Sequence, residues 1–435
     1  AFFHPQPLVL AYSENLLGTA PLYWLLRSVC PAITAYQLWM MLVTALTYVS
    51  FAAVLRRFGV GHLLAALGGF VFAFGLPRVT QLGHQQMLSH LFAPWAVLAA
   101  WSFLQRPAVG PFAGLLAASF GQLLAGMYLG WFLLLGLAVF AVVASVCEPG
   151  WLAPLGGFVR RRWPAVLGLI AVWAGLVGLL VAPYREANRG FHRPYDEVRA
   201  LTPRPTDWLT PAPQSVWAGW LPASPTSELW LFPGFVTFAV AGCGLASVQS
   251  RKRLTVAAVV AAILLALIAM RWGDWSAWRA VYRWAPGGQA IRAVGRIVFT
   301  VELFALIGGL VGLNAILRRT RMGAAIAATL LALAIAEQLP IRPLPSFEIA
   351  PWQERVARLR DRMTAGTPVY VDLSPDRPYW DSQTAAMWAG LEANVPVVNG
   401  YSGRYPPDYP DWTRSMTDDE LTEWMHGAPV ARIRD

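Results

Sequence analysis

Charged residues are scarce in this chain: Asp, Glu, Lys and Arg fill only 13% of its 435 positions, against roughly 25% in an ordinary soluble domain. With so little charge the chain cannot cover a water-facing surface, but it can face lipid. Lysine is almost missing. Lys252 is the single one, and arginine supplies the remaining positive charge, a usage typical of GC-rich bacterial genomes. Cysteine is rare as well. Cys30, Cys147 and Cys243 stand far apart, without a Cys-x-x-Cys or a metal-ligand spacing, which excludes a disulfide framework and a zinc site. There is no Gly-x-Ser-x-Gly, no His-Glu-x-x-His and no dinucleotide fingerprint, so hydrolase, zinc-protease and dehydrogenase readings have no support.

What the chain has in abundance is apolar surface. Hydrophobic residues make up 56% of it, with 21 Trp and 13 Tyr, rings that settle at the two membrane–water interfaces. The formal charge of +10 does not point to nucleic acid, because the basic residues sit in short clusters between apolar runs. A spanning helix takes roughly 20 apolar residues. Runs near 34–55, 62–77, 88–104, 111–126, 128–147, 163–182, 229–248, 254–270, 297–317 and 322–339 give about ten transmembrane helices. The stretch 111–147 is too long for one helix, and Gly126-Met127-Tyr128 is the expected outer turn.

Arginine sets the orientation. Arg56-Arg57, Arg106, Arg160-Arg161-Arg162, Arg251-Lys252-Arg253 and Arg318-Arg319 with Arg321 occupy alternate loops, and positive charge in short loops marks the cytoplasmic side. The segment 1–33, the loops 78–87, 183–228 and 271–296, and the tail 340–435 then face outward. The expected fold is an α-helical transmembrane bundle in a bacterial inner membrane, with a small α/β domain outside the cytoplasm. Its parts are an outer loop with an interfacial helix (1–33), a transmembrane domain (34–339) carrying the outer loop 183–228, and the soluble domain (340–435). Loop 183–228 reads as an interfacial flap or a substrate cover. Residues 275–284, with four aromatics and two arginines, read as a short helix on the membrane surface.

The tail changes character. Trp352, Val356, Leu359 and Met363 follow helical spacing. Strand-like runs at 367–373 and 395–399 flank a helix near 382–392, and Thr417 with Glu420 forms a capping box for a last helix. The chain starts at Ala1, without an initiator Met or a first hydrophobic anchor, and ends on Arg-Ile-Arg-Asp. Further sequence is therefore expected at both ends.

Ionisable groups near the outer face are the functional candidates, since such groups are costly at membrane depth. Glu14 either complements the N-terminus of a helix capped by Ser13 or Asn15, or faces a phosphate-bound metal or an acceptor hydroxyl. His84 and Gln85 lie in an outer loop where histidine can bind phosphate, hold a metal or act as a base. His90, six residues on, begins an apolar run and reads more readily as structural. Arg292 and Arg296, in Gly287-Gly288-Gln289-Ala290-Ile291-Arg292 through Gly295-Arg296, can grip phosphate or lipid headgroups. Tyr401 and Tyr405 could stack on sugar rings, and turn chemistry explains their loop equally well.

Taken together, several segments resemble the GT-C glycosyltransferase superfamily of bacterial membrane proteins. They are Phe3-His4-Pro5 with Ala11-Tyr12-Ser13-Glu14; Arg78 to Gln85 followed by Ala93-Pro94-Trp95; Leu231-Phe232-Pro233-Gly234; Ala285-Pro286-Gly287 through Arg292 and Arg296; and Val398-Asn399-Gly400-Tyr401-Ser402-Gly403. The resemblance implies sugar transfer from a polyprenyl-phosphate donor at the outer face. It places the main catalytic acid upstream of Ala1, a second acid at Glu14, and His84 in the outer loop where some members of the superfamily hold metal- or phosphate-binding groups. Gln85, His90, Arg292 and Arg296 are the accompanying candidates for phosphate. A divalent metal is left open as cofactor. The partners expected are membrane lipid and the lipid-linked sugar. Two rival functions are a transporter or flippase of a lipid-linked glycan and a non-catalytic membrane assembly protein.

Overall fold

The structure is a computed structural model that describes residues 2–79, 81, 83–191, 193–246, 253–344 and 346–434. Thr80 and Leu82 of the Arg78–Gln85 motif, residues 247 and 248 of the run expected at 229–248, and Arg251 and Lys252 lie outside the described residues. The chain divides into two compact units, one formed by Leu16–Gly178 and His192–Leu344, the other by Ala1–Asn15, Leu179–Phe191 and Pro345–Asp435.

The first unit is helical. Its elements are α1 (Ala20–Arg27), α2 (Ala32–Arg57), α3 (His62–Phe74), α4 (Leu76–Val79), α5 (Ala93–Gln105), α6 (Val109–Ala125), α7 (Met127–Cys147), α8 (Leu152–Ala187, ending in the second unit), α9 (Tyr195–Ala200), α10 (Phe235–Ala246) and α11 (Arg253–Ala269). A hairpin of β1 (Arg271–Trp272) and β2 (Trp275–Ser276) leads to α12 (Trp278–Trp284), α13 (Val298–Leu317) and α14 (Gly323–Gln338). Every one of the ten apolar runs contains a helix. The long stretch breaks at Gly126, whose extended backbone (φ 170°, ψ 120°) separates α6 from α7, at the expected turn.

Among the described residues, five helical stretches are long and apolar enough to cross a membrane: α2, α3 with α4, α7, α8 and the stretch Val294–Leu317. They differ in what they bury. Val294–Leu317 is 89% buried in its most apolar window, whereas the α8 window is 6% buried. Exposed Leu167, Ile170, Val172, Leu176 and Leu179 make a surface that water would penalise and lipid would not. This is the architecture of a helical membrane protein.

The described members of the five basic clusters lie toward one end of the helical unit. Asn314 and Arg318 both donate to the Gly59 carbonyl (3.2 and 2.8 Å), just beyond Arg56-Arg57. Gln105, next to Arg106, lines one cavity with Arg57 and Arg253, and Phe158 packs on Phe103 (5.5 Å). One detail departs from the sequence reading: Arg160-Arg161-Arg162 sits inside α8 rather than in a loop. The helix starts early because Trp151 packs on Trp101 (5.3 Å) and Phe158 on Phe103, which holds the first turns down. Its backbone leaves helical values at Arg162 (φ −121°, ψ 19°), where Pro164 has no N–H to give and crowds the turn before it.

The second unit is a small α/β assembly of α15 (Ile349–Arg360), β3 (Val369–Val371), α16 (Tyr379–Ala393), α17 (Asp418–Trp424) and β4 (Ala431–Ile433). β3 and β4 pair in parallel, with Val369 opposite Ala431 and Val371 opposite Ile433. Val397 bridges the other edge of β3 at Val369. The capping box is present: Thr417 Oγ1 accepts from the Glu420 N–H, and Glu420 Oε2 accepts from the Thr417 N–H (3.2 and 2.8 Å).

The N-terminal segment is built into this unit. The Phe3 and His4 N–H groups donate to the carbonyls of Asn399 and Val397 (3.1 and 3.0 Å), and the Trp424 indole donates to the His4 carbonyl (2.8 Å). Phe3 is fully buried against Tyr405 and Tyr409. The segment read as one outer loop, 1–33, is thus shared between the units, with residues through Asn15 in the same unit as the tail.

Candidate functional site

The helical unit gathers its loop charges at the end of α3 and α4 away from the arginine clusters. Three segments converge there. The 3-10 turn Gln85–Met87, entered at His84, comes from the loop after α4. Glu228 sits in a second 3-10 turn, Ser227–Leu229. Arg292 and Arg296 flank the approach to α13.

The first turns of α7 hold the third segment in place. The Trp131 indole donates to the Pro286 carbonyl (2.8 Å) and the Tyr128 hydroxyl accepts from the Arg292 N–H (2.7 Å). The Gln81 amide donates to the Ser227 carbonyl (2.9 Å), which ties the first segment to the second. Gly295 lies against the backbone of Glu228, so that a Cβ there would collide with the Glu228 carbonyl. Only glycine lets the two segments come this close.

The centre of the cluster is an ion pair. Arg296 Nε donates to Glu228 Oε2 at 2.9 Å and its Nη2 to Glu228 Oε1, with side chains 7% and 9% exposed. The Tyr128 ring lies beneath the guanidinium at 5.2 Å. His84 Nε2 stands 3.9 Å from Glu228 Oε1, and Arg292 reaches Glu197 at 4.0 Å. Burial, then Arg296, then Arg292 push the His84 imidazole below its ordinary range, against the pull of Glu228. His84 is therefore neutral near pH 7.

Of the sequence candidates, His84, Arg292 and Arg296 lie in this one neighbourhood of the helical unit. Glu228 and Glu197, which bind that neighbourhood together, were not among the candidates. Their only signal was being carboxylates in the loop between two apolar runs. The arrangement suits an anion, because His84 and Arg292 are each about two-fifths exposed and present N–H groups beside a buried, already neutralised pair. It does not suit a divalent metal. Both Glu228 oxygens face Arg296, and among the described residues no three His, Cys, Asp or Glu side chains form a metal-binding group.

Gln85 is half-buried at the start of its turn. His90 has different neighbours. Fully buried, it stacks on Phe72 (5.2 Å) and places Nδ1 3.3 Å from Arg78 Nη2. Arg78 is itself buried between the Phe72 and Phe299 rings (5.1 and 4.4 Å), and it donates to the Phe72 carbonyl (2.9 Å) and to that of Met87. Buried Glu302 of α13 interacts electrostatically with Arg78. An acid inside the apolar run 297–317 was legible in the sequence as a costly group.

Glu14, Tyr401 and Tyr405 belong to the other unit. Tyr184 there hydrogen-bonds Asn15 and lies in electrostatic reach of Glu14. The expected cap by Ser13 or Asn15 is not found: α1 begins at Ala20 with Thr19 as its N-cap and no side-chain cap bond, because the chain is still turning through Leu16–Thr19. Tyr401 is 43% exposed and lies 6.4 Å from the Tyr379 ring. Tyr405 stacks on Trp412 (4.3 Å, 13°) and meets Phe3 and Tyr409 edge-on or tilted, inside the aromatic core.

No protein-family model matches the chain, and no curated protein matches it.

Proposed function

We propose that the chain is a GT-C-type membrane glycosyltransferase, or a close relative, taking sugar from a polyprenyl-phosphate donor. In this reading about ten helices span a bacterial inner membrane, and the α/β unit lies outside the cytoplasm. The supporting observation is the cluster itself: His84 and Arg292 exposed beside the buried Arg296–Glu228 pair, at the end of the helical unit away from Arg57 and Arg318. Arg292 and the His84 imidazole hold the donor phosphate and disperse the charge that grows on it as the sugar leaves. Arg296 and Glu228 fix their geometry.

The resemblance makes Glu14 a second acid beside the main one, and in this reading Glu14 helps to take the acceptor hydroxyl proton. The acceptor oxygen then bonds the anomeric carbon while the bond to lipid phosphate breaks, and the phosphate departs with the electron pair. Proteoliposomes of the full protein, supplied with a panel of polyprenyl-phosphate sugars, test this. Transfer that collapses in Arg292→Ala and Glu14→Gln is expected. No transfer with any donor would remove the enzyme reading.

Buried Arg78, His90 and Glu302 favour a second reading, a transporter or flippase of a lipid-linked glycan, because transport sites use charge within the helical bundle. Donor flipping without sugar transfer in the same vesicles would select it.

A further inference from the structure

The other end of the helical unit holds a cavity of about 530 Å³ between the ends of α2, α5 and α11 and the side of α13. Its rim carries Arg57 and Arg253 with the Gln105 amide, and its wall carries Trp101, Leu98 and Leu254. None of the lining residues is acidic. Arg253 does share its charge with Glu148 at the end of α7 (2.6 Å), which leaves a net positive mouth over an apolar wall.

This division of labour selects an amphiphile. Guanidinium and amide donors match a phosphodiester, and Leu98, Leu254 and Trp101 match the glycerol and first methylenes that follow it. We propose that this cavity is a binding site for an anionic phospholipid, separate from the His84 cluster and at the opposite end of the helices. A free phosphate would satisfy the arginines and leave the apolar wall uncovered. A zwitterionic lipid would bring a choline cation against two guanidinium groups. Basic pockets between spanning helices bind anionic headgroups in just this way.

The test uses the full protein in a neutral detergent, titrated with phosphatidylglycerol, phosphatidylcholine or sodium phosphate and read by native mass spectrometry. One phosphatidylglycerol retained in preference to phosphatidylcholine is expected. Arg57→Ala should weaken retention about fivefold, on the order of one juxtamembrane arginine's contribution. Leu98→Trp fills the cavity without changing any charge and should abolish retention with the helical circular-dichroism spectrum intact. Arg321→Ala, at the same end but off the cavity, should change nothing. Equal retention of phosphatidylcholine, or an Arg57→Ala variant that binds as wild type, would overturn the proposal. Displacement by inorganic phosphate at equal concentration would overturn it too, by showing a simple anion site.

Discussion

Arg296 grips Glu228 with both arms of its guanidinium, and the two side chains are more than nine-tenths buried. Removing one of them strands the other charge out of water, a loss of about 3–5 kcal/mol in comparable pairs. Arg296→Ala and Glu228→Ala should each lower the melting temperature in detergent sharply. The double variant Arg296→Met/Glu228→Met should recover most of the loss. Singles that melt as wild type would mean that the pair is open to water.

His84 predicts a pH dependence. Burial and Arg296 hold its imidazole below the ordinary value of 6.5. An anion bound beside it restores proton affinity, so binding takes up a proton. Affinity for a phosphate-bearing donor should then rise as pH falls through the ordinary histidine range, by up to about tenfold between pH 8 and 6. His84→Gln should flatten the profile, as measured by titration at the two pH values. A slope that persists in the variant assigns the proton elsewhere.

Gly234 has φ +99°, and a Cβ there would lie 2.6 Å from the Gln338 amide and against the Glu337 carboxylate. That carboxylate accepts the Phe235 and Val236 N–H groups at the start of α10 (2.6 and 3.0 Å) and the Trp217 indole (2.7 Å). Gly234→Ala should cost about 1–3 kcal/mol from the backbone conformation alone, seen as a lower melting temperature. Pro233→Ala, which leaves the glycine untouched, should cost less.

Tyr401 and Tyr405 should separate cleanly. Tyr405→Ala removes a ring from the aromatic core and should destabilise the protein by about 3–5 kcal/mol, detected as earlier unfolding by near-ultraviolet circular dichroism. Tyr401→Ala removes a half-exposed ring and should leave melting almost unchanged. A sugar-binding defect confined to Tyr401→Ala would make that ring a carbohydrate contact.

Thr417 caps α17 through its Oγ1. Thr417→Ala should speed hydrogen exchange across 418–424 about fivefold, with the strands β3 and β4 unaffected. The Glu420 half of the box acts only above acidic pH. Arg414 and the Thr417 N–H hold its carboxyl at about 2, below the ordinary 4.5, so its support is complete above pH 4.5 and fades as pH falls towards 2.

Local and short-range physics was legible before any coordinates. Apolar run length marked where helices lie, because a long apolar segment bonds its backbone within itself. Charge distribution put Arg57, Arg106, Arg253 and Arg318 toward one end, since a miscounted helix would have broken the alternation. The Thr417–Glu420 spacing wrote its own helix start.

What the sequence left open depends on pairing across long separations. Glu228 meets Arg296 from sixty-eight positions away, and only packing around Gly295 makes that meeting possible. Phe3 enters the aromatic core of the tail through hydrogen bonds to Asn399 and Val397, although nothing near residue 3 announces a sheet edge. Helix formation is decided mostly by neighbours along the chain and by the solvent around it, so the sequence marked where the helices lie, while packing of Trp151 and Phe158 set the start of α8. Which buried charge finds its partner is decided by which segments the tertiary fold brings within a few ångströms, where desolvation makes an unpaired charge too costly to keep.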